Sequence, residues 1–569
     1  MTNAPTETLL GGGAGQYTKI PEHHGGVAIA EVLRAAGVTR IFGLPGGHVA
    51  ALFNGCQDVG IEVLTTRHES AAVHMAEAWA RTTGQVGVAA ITAGPGFTNA
   101  VTGLANAERT GIPVVVFGGR TPLALRGKGA VQDADQHAVA AAVCKWAREA
   151  TTPGDIARLT VEALGVAQSG RRGSAFIDLP TDVLLAEAPK LDVRLASQPK
   201  AAADATSVAA AVALLASAER PVVVAGGGAF WAGAGAALER FGQASGIPIT
   251  TTSHARGLVA DSSPLCLGSL LHGGVAVAVA DVVLLVGSRF NGNLTFGGPP
   301  LWRDDHRIIA IDADPAAFAL NRAPDVALLG DGAVVVDQLS DAWDGASHAA
   351  WREQAASFAQ LSWDHWVSET AGEATGVHPG WLAREICAFA AEQGPSSTLV
   401  IDGGDILGWG LAFARCEEPG SLLFTSDALG TLGVGVPYSV AAPFGRPDGP
   451  TFGLIGDGAF GLSAMEIETA VRAGTAPVIV VSNNRSWGDV RYEEGEWFGR
   501  TVGTDLSPAR YDLLCEALGG HGEHVEKPDQ LRGALERALA SGVVSVVNVV
   551  TDPDKPNEIL RNMDALALQ

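Results

Sequence analysis

The sequence is poor in cysteine and in basic residues, and each shortage excludes a class of protein. Six cysteines are scattered over 569 residues, with no CxxC pair and no histidine spaced as a zinc partner, so neither a disulfide framework nor a zinc module is expected. Lys and Arg number 38 against 61 Asp and Glu, which gives a formal net charge of -23. A field of that sign repels nucleic acid and anionic membranes, so neither is expected as a partner.

Long apolar stretches are also missing. A membrane helix needs about 18 or more consecutive apolar residues, and the nearest candidate, residues 275–286, is interrupted by Asp281. The N-terminal MTNAPTETLLGGGAGQYTKI has neither a basic start nor an apolar core, so no secretory signal is predicted and residues 1–20 are expected to be loose. Together with reduced thiols, these features predict a cytoplasmic protein.

Glycine and apolar residues are abundant instead, and they fall into three blocks. The chain contains 72 Gly and is 47% hydrophobic, which is typical of a globular enzyme with many tight turns, and its length exceeds what one core supports. The first block covers residues 21–190, the middle block residues 208–342 and the third block residues 378–555. A linker at about residues 187–207 joins the first two blocks, and a Trp-rich helical connector at residues 343–369 precedes the third. A tail, residues 556–569, follows the third block.

Each block alternates short apolar stretches with helical patterns. The strand-like stretches of the first block are residues 38–42, 86–91, 114–117 and 174–178. The middle block contributes PVVVAGGG, ADVVLLVGSRF and RIIAIDADP, and the third contributes TLVIDGG, SLLFTSDALG, TFGLIGDGAF, PVIVVSNN and VVSVVNVV. Such alternation predicts parallel sheets with helices on both faces. We therefore expect an α/β fold with three doubly wound parallel-sheet domains, the middle one Rossmann-like.

The most informative stretch reads GLIGDGAFGLSAMEIETAVRAGTAPVIVVSNN. One predicted strand ends at Gly456-Asp457-Gly458 and a second ends at Asn483-Asn484, with a helix between them. Both ends therefore emerge at the same edge of a parallel sheet, where ligands bind. Asp457 and Asn484 can therefore supply oxygen ligands to one Mg2+-type cation, whose shell two diphosphate oxygens complete. Gly458 and Ala459 let backbone N–H groups approach the phosphate, and Gly456 beside them is a further cofactor-binding candidate.

This pattern resembles the thiamine diphosphate signature of the acetolactate synthase and pyruvate oxidase superfamily, and the resemblance covers nearly the whole chain. It makes the third block the diphosphate-binding domain. The resemblance implies that Asp457, Asn484 and the carbonyl of Ser486 coordinate Mg2+ or Ca2+. It also implies that Gly404 and Asp405, in IDGGDI, contact the diphosphate. Leu432, in GTLGVGVP, would be the large apolar residue that packs under the bent cofactor.

The first block contains the residue to which the resemblance gives the proton chemistry. Glu69 lies in TTRHESAAVHMAEAWAR, after a strand-like stretch and at the start of a predicted helix, where an isolated acid would only stabilise the helix dipole. The segment resembles the HE-x-x-A motif of the family. This likeness implies that Glu69 contacts the aminopyrimidine ring of the cofactor and promotes proton removal from its thiazolium carbon.

A second motif completes the expected pyrimidine-binding domain. Gly94, Pro95 and Asn99, in TAGPGFTN, match the GPG turn of the family and are expected to line the pyrimidine pocket, together with FGLPGG at residues 42–47. The resemblance also implies at least a homodimer, and a tetramer stays open. In such a dimer Glu69 of one subunit serves the metal site of the other.

The middle block contains the residues that bear on a nucleotide. Flavin-binding acetolactate synthases typically show an Arg-Phe-Asp-Asp-Arg run where this chain has RFNGN, beginning at Arg289. The later FGGPPLW resembles 2-hydroxyacyl-CoA lyases and oxalyl-CoA decarboxylases, which bind an ADP moiety in this domain. Arg289, Asp312 and, more weakly, Arg303 are therefore predicted to lie near CoA or a bound ADP, with an ordinary loop charge as the alternative for each.

The loop after the metal motif, NNRSWGDVRYEEGEWFGR, contains acids that could act on the substrate. The family places the helix formed here over the reactive carbon of the cofactor, where a carboxylate could remove a hydroxyl proton. Glu493 is the preferred catalytic candidate, followed by Glu494, and a solvated acidic helix end is the alternative. The tail at residues 556–569 could close over this region as a lid or be a frayed terminus.

These features together predict a 2-hydroxyacyl-CoA lyase, which cleaves the C1–C2 bond of an acyl-CoA substrate to formyl-CoA and an aldehyde or ketone. A small branched substrate such as 2-hydroxyisobutyryl-CoA, which would give acetone, is one candidate. An oxalyl-CoA decarboxylase and a flavin-containing carboligase of the acetolactate synthase type are the alternatives. A non-catalytic relative is disfavoured because Glu69, Asp457 and Asn484 are all present.

Overall fold

Three six-stranded parallel sheets, one in each block of the chain, make up this computed structural model. The structure describes residues 20–191, 200–372, 374–425 and 428–557, so the expectations for residues 1–19 and most of those for the tail lie outside the described residues. The predicted α/β class with three parallel-sheet domains is confirmed. All six cysteines are free thiols, and no helix in the described ranges is long and apolar enough to cross a membrane.

The first sheet has the strand order β2-β1-β3-β4-β6-β5. Its strands are Arg40–Gly43 (β1), Glu62–Thr65 (β2), Gly87–Ile91 (β3), Val114–Arg120 (β4), Trp146–Glu149 (β5) and Ser174–Pro180 (β6). Its helices are Gly25–Ala35 (α1), Ala50–Asp58 (α2), Glu69–Thr83 (α3), Pro95–Thr110 (α4), Gln136–Val143 (α5), Pro153–Gln168 (α6) and Thr181–Leu185 (α7). Every residue of β3, β4 and β6 is buried, as expected for central strands covered on both faces.

The middle sheet has the order β12-β11-β10-β7-β8-β9, which is the strand order of the Rossmann fold. Its strands are Pro221–Ala225 (β7), Ile249–Thr251 (β8), Cys266–Ser269 (β9), Val282–Val286 (β10), Arg307–Asp312 (β11) and Val326–Leu329 (β12). Its helices are Ala205–Ala216 (α8), Gly227–Ala232 (α9), Gly235–Ser245 (α10), Leu270–Val279 (α11) and Gly332–Asp341 (α12). The predicted connector contains one long helix, Ala349–Glu369 (α13).

The third sheet has the order β14-β13-β15-β16-β18-β17, which repeats the order of the first sheet strand for strand. Its strands are Thr398–Asp402 (β13), Leu422–Phe424 (β14), Thr451–Gly456 (β15), Val478–Asn483 (β16), His521–Val525 (β17) and Ser545–Val550 (β18). Its helices are Pro379–Glu392 (α14), Asp405–Phe413 (α15), Gly435–Gly445 (α16), Asp457–Ser463 (α17), Glu466–Ala473 (α18), Gly488–Phe498 (α19), Tyr511–Ala517 (α20) and Pro528–Ala540 (α21).

The first and third domains share one apolar core, which includes buried side chains from α3 and β3 and from α16, β15 and β16. Polar groups cross the same boundary, because the buried carboxylate of Glu77 on α3 accepts a 3.1 Å hydrogen bond from the hydroxyl of Tyr438 on α16. His74 and Asn106 contact the same carboxylate at 2.7 and 2.8 Å. Pairing of this kind stabilises buried polar groups that would otherwise be costly.

Candidate active site

A cavity of about 350 Å3 opens at the carboxyl edge of the third sheet. Parallel sheets bind ligands at this edge, because the loops that follow the strands converge there. The cavity is lined by every residue that the sequence predicted for the metal and diphosphate half of the site, namely Gly404, Asp405, Leu432, Gly456, Asp457, Gly458, Ala459, Asn484 and Ser486. The structure therefore brings together residues that are up to 82 positions apart in the sequence, from Gly404 to Ser486.

Asp457, the first residue of α17, is 2% exposed, and its Oδ2 is buried without a hydrogen-bond partner among the residues that the structure describes. Burial raises the pKa of this carboxyl to about 7, although backbone N–H groups, including those of Gly458 and Arg485, lie against it and act in the opposite direction. A buried oxygen without a donor is costly. A divalent cation would give this oxygen its partner, so the residue fits the predicted metal site.

Asn484 follows β16, and its Oδ1 accepts hydrogen bonds from the backbone N–H and the hydroxyl of Ser486 at 3.1 and 3.2 Å. Arg485 between them has a φ of 60°, a left-handed conformation that costs energy in a non-glycine residue and is concentrated at functional sites. The described residues contain no group of three or more His, Cys, Asp or Glu side chains placed for a metal. A cation here would therefore use one carboxylate with amide, carbonyl and diphosphate oxygens.

Two further carboxylates stand in the cavity wall, Asp405 and Asp489. Burial and the charge of Asp489 raise the pKa of Asp405 to about 7, while the backbone N–H of Asn557 donates to its Oδ1. A Cβ on Gly404 would stand 2.9 Å from the Cβ of Asp489, so only glycine fits at this position. The sequence pattern missed Asp489, since its sole signal is its place in the first turn of α19.

Glu493, the predicted base, lies four residues after Asp489 on α19, which places the two on the same helical face. It is half-buried and is not among the residues that line the cavity, so its catalytic role stays a prediction. The second choice, Glu494, accepts a 2.6 Å hydrogen bond from the backbone N–H of Val502. Glu494 therefore holds the loop that follows α19.

Glu69 begins α3 at the carboxyl edge of the first sheet and is 6% exposed. Its Oε2 accepts a 3.0 Å hydrogen bond from the side chain of Asn99 on α4. Gly94 is the N-cap of α4 and has a φ of 60°, and Pro95 is the first residue of this helix. The backbone N–H of Gly94 donates to the side-chain oxygen of Gln136 at 2.8 Å. The structure therefore groups Glu69 with the predicted GPG turn.

Gln132 is a residue of this region that the sequence did not reveal. It has a φ of 63°, and its Cα would stand 3.0 Å from a Cβ placed on Gly94. A glutamine in this conformation, packed against the turn beside Glu69, leaves room at position 94 only for a glycine. Neither composition nor spacing signals it, since the strain is visible only in the backbone angles.

The two halves of the predicted site are separate within one chain. The cavity is lined only by residues 403–490 of the third domain, whereas Glu69 and Asn99 lie at the edge of the first sheet. The residues that line the described cavity therefore include none from the first domain.

The middle-domain candidates divide into two groups. Asp312 ends β11 and Arg289 follows β10, so both lie at the carboxyl edge of the Rossmann-type sheet, and burial raises the pKa of Asp312 to about 6. Arg303 lies at the opposite edge, where its guanidinium donates to the carbonyls of Ala278 and Ala280 at 2.8 and 3.1 Å. Arg303 thus caps the end of α11, and the structure does not support the predicted nucleotide role for it.

Comparison with known proteins defines the class. Three thiamine pyrophosphate (diphosphate) enzyme models match the chain: the N-terminal TPP binding domain over residues 23–139, the central domain over residues 208–339 and the C-terminal TPP binding domain over residues 402–549. The chain therefore belongs to the thiamine pyrophosphate enzyme family, and it is a thiamine-diphosphate-dependent enzyme.

Individual relatives fall into two activities. A probable acetolactate synthase of Mycobacterium bovis is 36% identical over 536 residues, which cover 93% of this chain and 96% of that protein. A 2-hydroxyacyl-CoA lyase of Arabidopsis thaliana is 32% identical over 559 residues, covering 94% and 97%. The 2-hydroxyacyl-CoA lyase 2 of Homo sapiens is 32% identical over 582 residues, covering 94% and 90%. The predicted superfamily is confirmed, and both reactions have similar relatives.

Proposed function

We propose that this chain is a 2-hydroxyacyl-CoA lyase that splits the C1–C2 bond of its substrate into formyl-CoA and an aldehyde or ketone. The observation that carries the proposal is the acidic helix α19, which contributes Asp489 to the cavity wall and bears Glu493 one turn further along the same face. A lyase needs a base for the 2-hydroxyl of the substrate. Relatives named 2-hydroxyacyl-CoA lyase match over 90% or more of this chain.

The cavity of the third domain would hold the cofactor. Asp457, Asn484 and the carbonyl of Ser486 would bind Mg2+ or Ca2+, and the backbone around Gly404 and Gly458 would contact the diphosphate. Bound thiamine diphosphate supplies a carbon nucleophile for carbonyl groups and an electron sink for the bond that is cleaved. The protein supplies the remaining chemistry.

Proton transfer falls to side chains of this chain. Glu69 exchanges a proton with the aminopyrimidine ring, and Asn99 fixes its carboxylate through the 3.0 Å hydrogen bond. Glu493 removes the proton from the 2-hydroxyl of the substrate as the C1–C2 bond breaks and the carbonyl product forms. The same carboxyl then returns this proton to C1, which leaves as formyl-CoA. Trp487 and Leu432 in the cavity wall exclude water from the reacting carbon.

The enzyme acts as a homodimer in this proposal. The cavity and Glu69 lie at different sheet edges of the chain, so a second copy would bring its Glu69 to the cavity of the first. Arg289 and Asp312 at the ligand edge of the middle sheet would bind the nucleotide part of CoA or an ADP. We propose the cytoplasm as the compartment.

A substrate comparison tests this function. Purified enzyme with Mg2+ and thiamine diphosphate is incubated separately with a 2-hydroxyacyl-CoA, with oxalyl-CoA and with pyruvate. Formyl-CoA and a carbonyl product from the first substrate are expected, while CO2 from oxalyl-CoA would identify a decarboxylase instead. Including 2-hydroxyisobutyryl-CoA among the substrates tests whether a branched acyl chain is accepted, with acetone as the product measured.

An acetolactate synthase is the second candidate, because one relative with that name is 36% identical over 93% of the chain. Acetolactate formed from pyruvate would favour this reaction. Flavin absorbance of the purified protein would count for a middle domain that holds FAD and against one that holds CoA or ADP.

A further inference from the structure

The loop in front of Glu69 is held by a buried acid of the third domain. Glu466, the first residue of α18, is 1% exposed. Its Oε1 accepts hydrogen bonds from the backbone N–H groups of Arg67 and His68 at 2.9 and 3.1 Å, and its Oε2 accepts one from the hydroxyl of Thr469 at 2.6 Å. Both carboxylate oxygens are thus used, and the next residue of the loop is Glu69.

A second side chain of α18 holds the other end of the same loop. Arg472 donates to the hydroxyl of Thr65 at 2.8 Å and to its carbonyl at 2.6 Å. Thr65 is the last residue of β2, and Glu69 is the first of α3. The strand-to-helix connection, residues 66–68, is therefore held at both of its ends by side chains from one helix of another domain.

These contacts supply partners that the loop itself lacks. The N–H groups of Arg67 and His68 precede α3, so no carbonyl of that helix can accept from them, and β2 lies at the end of its sheet with one neighbouring strand. A carboxylate that accepts from two adjacent N–H groups makes stronger hydrogen bonds than a neutral acceptor does. Glu466 therefore fixes the direction in which the chain enters α3.

We propose that Glu466 is a positioning residue for Glu69, holding its carboxylate where it must exchange a proton with the cofactor. The proposal rests on the function proposed above for Glu69. Glu466 lies nine residues after Asp457, on the helix that follows the metal motif. The fold thus connects the segment that carries one metal ligand to the segment that carries the proton-transfer group.

Three variants with one control test the role. Glu466→Ala removes both acceptors, Glu466→Gln restores an oxygen of the same reach without the charge, and Glu69→Gln defines complete loss of the proton-transfer group. Glu536→Gln is the matched control, because this exposed acid on α21 pairs only with a neighbouring arginine among the contacts described, Arg532 at 2.8 Å. Far-UV circular dichroism and sedimentation show whether each variant is folded and assembled.

Two measurements without turnover separate positioning from general damage. The first is amide hydrogen exchange of Arg67 and His68 in the cofactor-free protein, where Glu466→Ala should lose protection locally. The second is the rate at which the C2 proton of bound thiamine diphosphate exchanges with deuterium. A displacement of about 1 Å can slow a reaction on the order of 100-fold, so Glu466→Ala should slow exchange about 10- to 100-fold, and Glu466→Gln should recover part of the rate.

The outcomes are distinguishable. Slow C2 exchange in Glu466→Ala with a cofactor Kd within about threefold of the wild type supports positioning, since this shift is small on the affinity scale. Unchanged C2 exchange in a folded Glu466→Ala, while Glu69→Gln abolishes exchange, overturns the positioning role and leaves the proposed function intact. Unchanged exchange in Glu69→Gln instead overturns the role of Glu69. If Glu466→Ala does not fold, Glu466→Gln decides by the same two measurements.

Discussion

Asn99 donates a side-chain hydrogen bond of 3.0 Å to Oε2 of Glu69. The two residues lie on α4 and α3, which both begin at the carboxyl edge of the first sheet. Gly96 leaves space on the other side of the carboxylate, because a Cβ at this position would stand 3.3 Å from Oε1. One oxygen of the predicted proton-transfer group is therefore held by an amide, while the other faces a residue without a side chain.

Asn99→Ala should reduce turnover more than cofactor affinity. The change removes the donor to Glu69 and lets the carboxylate rotate, and a loss of about tenfold in kcat is expected from a hydrogen bond to a charged group of about 1.5 kcal/mol or more. Steady-state kinetics with a cofactor titration measure both quantities. Thr98→Ala is the control, because the hydroxyl of this exposed neighbour donates within its own helix, to the carbonyl of Pro95 at 3.2 Å. Equal losses in both variants would contradict the prediction.

Glu69→Gln should abolish most of the activity while leaving the protein folded. Glutamine has the size of glutamate and can still contact Asn99, but it cannot exchange a proton at neutral pH. We expect kcat to fall by a factor on the order of 100 or more, with a cofactor Kd close to that of the wild type. Full turnover by the purified variant would show that another group activates the cofactor.

Removal of Mg2+ should lower the melting temperature of the protein loaded with thiamine diphosphate. A ligand that binds only the native state stabilises it by about 2.7 kcal/mol at 100 times its Kd. Asp457 offers a buried oxygen that has no other partner in the described part of the chain. Differential scanning fluorimetry with and without a chelator measures the shift. Asp457→Ala should show no shift on addition of Mg2+, and a shift equal to that of the wild type would place the metal elsewhere.

Glu493→Gln and Asp489→Asn should separate the two acids of α19. If Glu493 is the base, Glu493→Gln should lower lyase turnover by a factor of about 100 or more, as loss of a general base does. Asp489 lines the cavity next to Asp405, so its replacement should act mainly on cofactor binding. The measurements are kcat with a 2-hydroxyacyl-CoA and the cofactor Kd. The reverse pattern would transfer the role of base to Asp489.

His272→Phe should make the protein more resistant to acid. Burial, and then the charge of Arg256, lower the pKa of His272 to about 4 from an ordinary value of 6.5. Because the unfolded chain binds the proton more readily, the contribution of a neutral His272 is fully present above pH 6.5 and is lost progressively as the pH falls from 6.5 to about 4. The slope is at most about 1.4 kcal/mol per pH unit.

Phenylalanine keeps a ring against Trp363, whose centroid lies 5.5 Å from that of His272. Urea unfolding at pH 7 and at pH 5 measures the difference. The variant should lose less stability than the wild type between the two pH values. An identical loss in both proteins would mean that other groups control acid unfolding.

The strands that the sequence predicted are mainly the buried ones. Strands β3, β4, β13, β15 and β16 consist of apolar stretches covered on both faces, and such stretches are visible in a sequence. The missed strands include β2, β5 and β17, which lie at the ends of sheets and contain charged or half-exposed residues. Their pairing depends on a neighbouring strand, which no local pattern reveals.

The site residues, like the strands, divide into those with a local sequence signal and those that depend on distant contacts. Asp457, Asn484 and Glu69 were predicted because each directly follows a strand, or stands just beyond it, in a motif of fixed spacing. Gln132 and Glu466 were missed because their importance arises from contacts over long sequence distances, 398 residues in the case of Glu466 and His68. The position of Arg303 beside the carbonyls of Ala278 and Ala280 could not be predicted, because a cationic residue in a loop does not show at which sheet edge it lies, and its nucleotide role stays a prediction.

The common apolar core of the first and third domains has a consequence for protein engineering. Because α3 and α16 bury each other and the Glu77 carboxylate accepts from Tyr438 across that boundary, neither outer domain can be transplanted alone without uncovering apolar surface and a buried acid. The middle domain has core clusters of its own, to which α13 adds Trp351 and Ala355. Because Trp363 and Trp366 in the second half of α13 pack against the core of the third domain, chimeric enzymes with exchanged substrate preference should keep the outer pair together and replace the middle domain with only the first half of α13.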